Sequence, residues 1–353
     1  MRDQSIDILR GLFVFLMILV NLPGSWGAMY TPLQHAEKTG IHLADLVFPG
    51  FLYVLGFSYY LQIANENSIR SWKKAVFRVF LIFLLGIFLS LFPKWNWEEF
   101  RLMGVLQRIA LVYAIIYLLL PKAKLGPSFW LSFFFLSLLS LGNEFWNQRL
   151  GGFQWESFET KESLSAYLDR FLLGKHIWKP DYDPEGVLTT IISVQSALLG
   201  FLSAWFRQNK KDTLIQLAFV FLLFALVITI PRPPSKLFWN LSFVFWNACF
   251  CTLFLDLIQR GQRVSIGFQV AYWMFSPFGR HALLLFFLMG FLARLEIYRT
   301  SIKIGFGFLA KVSKDPKLSS LLISFALYLC FLFLLFLYDS LSRQPRRNES
   351  SMQ

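Results

Sequence analysis

The segment LADLVFPGFLYVLGFSYYLQI, residues 43–63, carries one charged side chain, Asp45, in a run long enough to cross a hydrocarbon core of about 30 Å as a helix. Nine further apolar runs of this kind follow or precede it, at 6–21, 75–92, 103–120, 128–141, 186–206, 213–230, 238–258, 278–295 and 318–338. The composition agrees: 353 residues with 56% hydrophobic and only 16% charged side chains cannot stay dispersed in water. The expected fold is an all-α polytopic membrane protein of about ten transmembrane helices. A single domain is expected over 1–342, with a basic cytoplasmic tail at 343–353. The first run is expected to be a retained span, because Asp3 and Asp7 spoil a basic leader region and no small-residue cleavage site follows Asn21.

The net charge of +13 is not a nucleic-acid signature. Its Lys and Arg residues form small clusters between apolar runs: Arg70/Lys73/Lys74, Lys122/Lys124, Arg207/Lys210/Lys211, Arg260/Arg263 and Arg343/Arg346/Arg347. A cytoplasmic N-terminus puts all five on the inside, which suits a bacterial-type inner membrane. The segment 299–317 is basic on the opposite side. A long connection at 142–185 is expected on the outer face, mixing Trp146, Trp155 and Trp178 with acids and glycines. The stretch 264–277 reads as re-entrant or interfacial. Cys249, Cys251 and Cys330 all lie in apolar runs and have neither disulfide nor metal-ligand spacing, so no metal is expected.

Charged and polar residues inside spans require a partner, a water-filled cavity or a function. Asp7 and Arg10 stand at i,i+3 and can pair on one helical face. Gln107 and Arg108 fall well inside the fourth run. His35 and Asp45 bracket the start of the second, and His42 competes with His35 for the carboxylate. An imidazole beside a carboxylate suits proton transfer near neutral pH, although such a pair is more often structural than catalytic. Asp183-Pro184-Glu185-Gly186 opens the sixth run, where a helix N-terminus favours acids. Arg280 and His281 follow Pro277 at the ninth.

These residues stand in longer blocks: Ser5-Ile6-Asp7-Ile8-Leu9-Arg10-Gly11, then Asn21, His35-Ala36 and Gly40-Ile41-His42-Leu43-Ala44-Asp45 through Pro49. They continue with Arg101 to Ile109, Tyr167-Leu168-Asp169-Arg170, Tyr182 to Gly186 and Lys236-Leu237-Phe238-Trp239. Together these blocks resemble the heparan-alpha-glucosaminide N-acetyltransferase family. The resemblance implies a membrane acyltransferase that moves acetyl from acetyl-CoA, a cosubstrate, to the amino group of a terminal glucosamine or related glycan across the membrane. It also implies a homodimer. The family's catalytic histidine matches His35 and its essential asparagine matches Asn21, with Asp45 as third catalytic residue. Arg10, Arg108, Gln107 and Arg280 are expected to bind acetyl-CoA, whose phosphates suit guanidinium groups. Asp183, Glu185 and Trp239 are expected on the acceptor side. His35 serves either as general base or as acetyl carrier, and Asn21 either orients the imidazole or donates to the thioester oxyanion. The chain departs from the family pattern at Lys38, Gly50 and His281. The competing expectation is a glycan or small-metabolite transporter with Asp7, Arg10, Arg108 and Glu185 along its path.

Overall fold

The computed structural model describes residues 3–65, 71–150, 160–210, 213–262 and 266–349, with the side chains of 148–150, 160, 266 and 343–349 left aside. Among the described residues every regular element is helical: α1 Gln4–Asn21, α2 Leu43–Ala64, α3 Trp72–Leu91, α4 Val105–Leu119, α5 Pro127–Leu150, α6 Leu164–Leu173 and α7 Val187–Asn209. The series continues with α8 Leu214–Thr229, α9 Leu241–Gln262, α10 Ile266–Arg280, α11 Ala282–Leu292, α12 Glu296–Ser313 and α13 Pro316–Glu349. Six of these are long and apolar enough to cross a membrane, or seven if α10 and α11 count as one broken span. The count of about ten is therefore not reached: α4 and α8 are apolar but shorter. Of the five basic clusters, Arg70, Lys211 and Arg263 lie outside the described residues, as do the side chains of Arg343, Arg346 and Arg347. Trp155 and the end of the tail, 350–353, lie outside them too.

Two compact units divide the chain, Met1–Gln34 with Ile258–Gln353, and His35–Leu257. In the second, α7 is the central helix, buried along nearly its whole length. It crosses α2 so closely that a Cβ on Gly56 would collide with the Ala197 backbone, and one on Gly200 with that of Tyr53. Small residues allow this approach, the usual device where helices pack in lipid without a hydrophobic drive. The Tyr53 hydroxyl meets Thr252 Oγ1 at 2.8 Å, tying α2 to α9.

The expected loop at 142–185 is not one loop. α5 runs on to Leu150, and α6 occupies Leu164–Leu173. Asn143, Glu144 and Asn147 looked like the end of a span, but they form a polar face turned inward and buried. The Leu164 N–H donates to Asn147 Oδ1 at 3.0 Å, and Arg232 Nε reaches Glu144 Oε2 at 2.9 Å.

In the first unit α1 packs on α10, where Gly11 lies under the Phe275 carbonyl. Tyr328 of α13 adds ring contacts to Phe15 and Phe278 at 4.7 and 4.8 Å. The expected continuous span at 278–295 is broken: α10 and α11 are bent by 73° around His281. The bend falls at the single residue between the two helices, four positions after Pro277, which α10 carries inside its last two turns.

Candidate active site

Asp45 organises the site in the His35–Leu257 unit. It is the third residue of α2 and 0% exposed. Its Oδ2 accepts the backbone N–H of Ala36 at 3.0 Å and of His42 at 3.2 Å, folding the segment 36–42 back over the helix N-terminus. Its Oδ1 accepts from His35 Nδ1 at 2.8 Å. His42 meets the carboxylate through its backbone, so the side-chain partner is His35. The imidazole is 47% exposed against a carboxylate at 0%. With the proton of Nδ1 held by Asp45, the lone pair of the neutral ring is on Nε2. Pro49 adds a detail: it removes the helical bond that would reach the Asp45 carbonyl.

Lys236 completes the cluster, with Nζ 3.5 Å from Asp45 Oδ1 and 3.2 Å from His35 Nδ1. The α8–α9 connection holds it there. Asn240, fully buried, accepts the N–H groups of Ser235 and Phe243 and donates to the Pro233 carbonyl. That connection is in turn fastened to the segment after His35: Ser235 Oγ donates to the Lys38 carbonyl at 2.8 Å, and the Gly40 N–H to the Pro234 carbonyl at 2.8 Å. Gly40 has a φ of +106°, a backbone conformation that glycine adopts without strain. Burial pushes the Lys236 ammonium below its ordinary value, against the opposing pull of Asp45 and Glu185.

A second charged group lies in the same unit. Arg101 Nε donates to Asp183 Oδ2 at 2.9 Å, and its Nη2 bonds both Asp183 Oδ1 and Glu185 Oε2. Asp183 also accepts the backbone N–H groups of Trp178 and Glu185, each at 2.9 Å. Burial would lift Glu185, but Arg101, Arg108 and Lys236 together hold its carboxyl below the usual range. Arg101 loses to burial and gains more from the two carboxylates, ending above its ordinary value.

Arg108 is fully buried, donating to Thr190 Oγ1 at 3.1 Å, Thr189 Oγ1 at 2.6 Å and the Pro184 carbonyl at 2.8 Å. Its guanidinium lies 4.9 Å from the Trp239 ring and 5.5 Å from that of Phe48. Nη1 has no hydrogen-bond partner. The Trp239 ring is 1% exposed, and its Nε1 donates to Ser196 Oγ at 3.0 Å. Gln107 is buried against Gly86 of α3.

The remaining sequence candidates belong to the other unit. Asn21 is the exposed last residue of α1, beside a segment pinned to α13 by Gly24, Ser25 and Ser324. Arg10 Nη1 donates to Asp7 Oδ1 at 3.2 Å and to the Gly279 carbonyl at 3.1 Å. Arg280 Nη2 pairs with Asp339 Oδ2 at 2.6 Å, while His281 Nε2 lies 3.4 Å from the other oxygen.

The family model for the catalytic region of heparan-alpha-glucosaminide N-acetyltransferase matches residues 2–164, a stretch that holds Asn21, His35, Asp45, Gln107 and Arg108. The chain is similar to this family. It is 28% identical over 309 residues to the human heparan-alpha-glucosaminide N-acetyltransferase, covering 69% of this chain and 46% of that protein. The mouse protein of the same name is 26% identical over 323 residues, covering 73% and 49%. The chain thus spans about half the length of the curated relatives it matches. Two residues of the site, Arg101 and Lys236, stand inside blocks that carry the family resemblance but were given no role from the sequence; their place in those blocks was the signal.

Proposed function

We propose that this protein is a membrane acetyltransferase that moves acetyl from acetyl-CoA to the amino group of glucosamine or a related amino sugar, with His35 performing the chemistry. The observation that carries this is the pairing of a half-exposed imidazole with a fully buried carboxylate at 2.8 Å. A structural histidine has no need of an open face. In the general-base route, Nε2 takes a proton from the sugar amine as its nitrogen attacks the thioester carbonyl. The carbon–sulfur bond then breaks, and the thiolate of CoA takes the proton back from the imidazolium. In the carrier route, Nε2 attacks the carbonyl itself and CoA leaves as the thiolate; the amine then displaces the imidazole from the acetyl group, and the proton that the amine loses passes through Nε2 to the thiolate. Both routes need Nδ1–H held by Asp45.

The acidic pair Asp183 and Glu185, bracketed by Arg101, serves the acceptor side, and Arg108 with Trp239 supports it from beneath. Asn21 is the second catalytic residue, and Arg10 and Arg280 serve the phosphates of acetyl-CoA with Gln107 in support. The enzyme works in a bacterial-type inner membrane with its N-terminus in the cytoplasm, as a homodimer.

The test is acetyl transfer from labelled acetyl-CoA to a panel of amino sugars by purified, detergent-solubilised protein, beside His35→Ala. Transfer should fall by about 10²-fold or more in the variant, with its thermal unfolding unchanged because the ring is half exposed. A folded wild type that binds no acetyl-CoA overturns the proposal.

A further inference from the structure

A carboxylate has about four acceptor positions, and Asp45 fills three of them with the N–H groups of Ala36, His42 and His35. Neutralising its charge would need no more than an imidazolium at His35. Instead the fourth position faces Lys236, whose ammonium lies 3.5 Å from Oδ1 and 3.2 Å from the imidazole nitrogen bonded to that same oxygen. Two cations on one carboxylate oxygen repel each other. The lysine ammonium, with the higher intrinsic proton affinity, keeps its proton more readily than the imidazole.

We infer that Lys236 is a positioning residue whose ammonium shares the Asp45 carboxylate with His35 and thereby holds the imidazole neutral, with its Nε2 lone pair open to a proton or an acetyl group.

The surrounding charges agree. Around Lys236 stand Asp45 and His35 from α2 and the segment before it, Glu185 from the segment before α7, and Arg108 from α4. Arg101 and Asp183 bond or neighbour Glu185. Asp45, Asp183 and Glu185 stand among Lys236, Arg101 and Arg108, and Asp169 of α6 adds a fourth acid beside Arg108. A proton on His35 would place a second cation on the Asp45 oxygen that Lys236 already faces. Removing the Lys236 ammonium lifts that repulsion and invites the proton. An arrangement meant only to hold the loop would not require a cation at this point, because the Ser235 and Gly40 bonds already fasten the α8–α9 connection.

The use of a neutral His35 rests on the acetyltransfer reading, but its protonation can be measured without any transfer. Diethyl pyrocarbonate carbethoxylates neutral imidazole and releases carbon dioxide and ethanol. Its rate at His35, read by peptide mass spectrometry on the full chain across pH, reports the neutral fraction. His281, paired with Asp339, is the internal reference. In Lys236→Met and Lys236→Gln the half-reaction pH of His35 should move up by about half a unit to one unit, a roughly threefold to tenfold slower modification on the acid side. Lys236→Arg, which keeps the charge, should stay with the wild type, and the acid limb of the transfer rate should move with the modification curve. An unchanged or lowered midpoint in both neutral variants, with the fold intact, overturns the inference. A raised midpoint in a protein that transfers no acetyl would uphold it and remove the acetyltransfer proposal.

Discussion

Two charged groups of the His35–Leu257 unit use the same ingredients to opposite ends. Around Arg101, two buried carboxylates bracket one guanidinium, and Asp183 takes two backbone N–H groups as well. That group is closely bonded and fixes the entry to α7. Around Asp45 the proportions are reversed: one buried carboxylate serves an imidazole and an ammonium, and the imidazole is half open. Surplus acceptor makes a rigid bracket, whereas surplus donor leaves a group whose proton can move. The difference lies in stoichiometry and exposure, since residue types and burial of the acids are nearly the same.

The sharpest way to break the comparison is Asp45→Asn. The amide oxygen can still accept the Ala36 and His42 N–H groups, so the loop holds. Its NH2 group would donate to His35 Nδ1, moving the ring proton to Nε2 and removing the lone pair that either route needs. Acetyl transfer is expected to fall by about 10²- to 10⁴-fold while thermal unfolding changes little. A variant that loses fold and activity together would make Asp45 an ordinary helix-terminus residue.

The His35–Asp45 pairing was legible because it is local: ten residues apart, with the carboxylate in the first turn of a helix that the hydropathy pattern places well. Arg101 meets Asp183 across 82 residues and Lys236 meets His35 across 201, and no periodicity encodes such distances. The spans fared by the same rule. Boundaries of α2 and α7 follow from uninterrupted apolar runs. α5 was cut short because inward-facing Asn143, Glu144 and Asn147 look like a polar end when their buried partners are unknown. α12 escaped as a helix because its basic residues, Arg299, Lys303 and Lys311, hid its period among a charged stretch. The partners of Arg108 were hidden for the same reason as those of Arg101 and Lys236: its donors meet Thr190, Pro184 and Thr189, 82, 76 and 81 residues away.

Arg101→Ala probes the Arg101 group. It would leave Asp183 and Glu185 buried without their cation, and breaking such an arrangement from one side costs about 3 kcal/mol or more. The loss should be visible as a lower thermal midpoint in detergent. Arg101→Lys, lacking the two-pronged geometry, should recover only part of it. If Arg101→Ala instead unfolds like the wild type, the two acids serve the acceptor without fastening the entry to α7, and the contrast with Asp45 disappears.

The smallest effect sharpens the contrast from a third carboxylate. Asp169 of α6 accepts the Val187 N–H at 2.9 Å, forms no ion pair among the described residues, and buries its Oδ2 without a hydrogen bond. Burial lifts it to about 6. An unfolded aspartate titrates near 4, so between about pH 4 and 6 the native state holds the proton that the unfolded chain has released. Wild-type stability should therefore fall as pH rises through that window and level off above it. Asp169→Asn keeps an oxygen for Val187 and has nothing to titrate. It should exceed the wild type by about 3 kcal/mol at pH 8 and match it near pH 4, as chemical unfolding at the two pH values would read. A constant difference at both would mean that packing against Gly186 governs the site, and that a carboxylate here needs no cation at all.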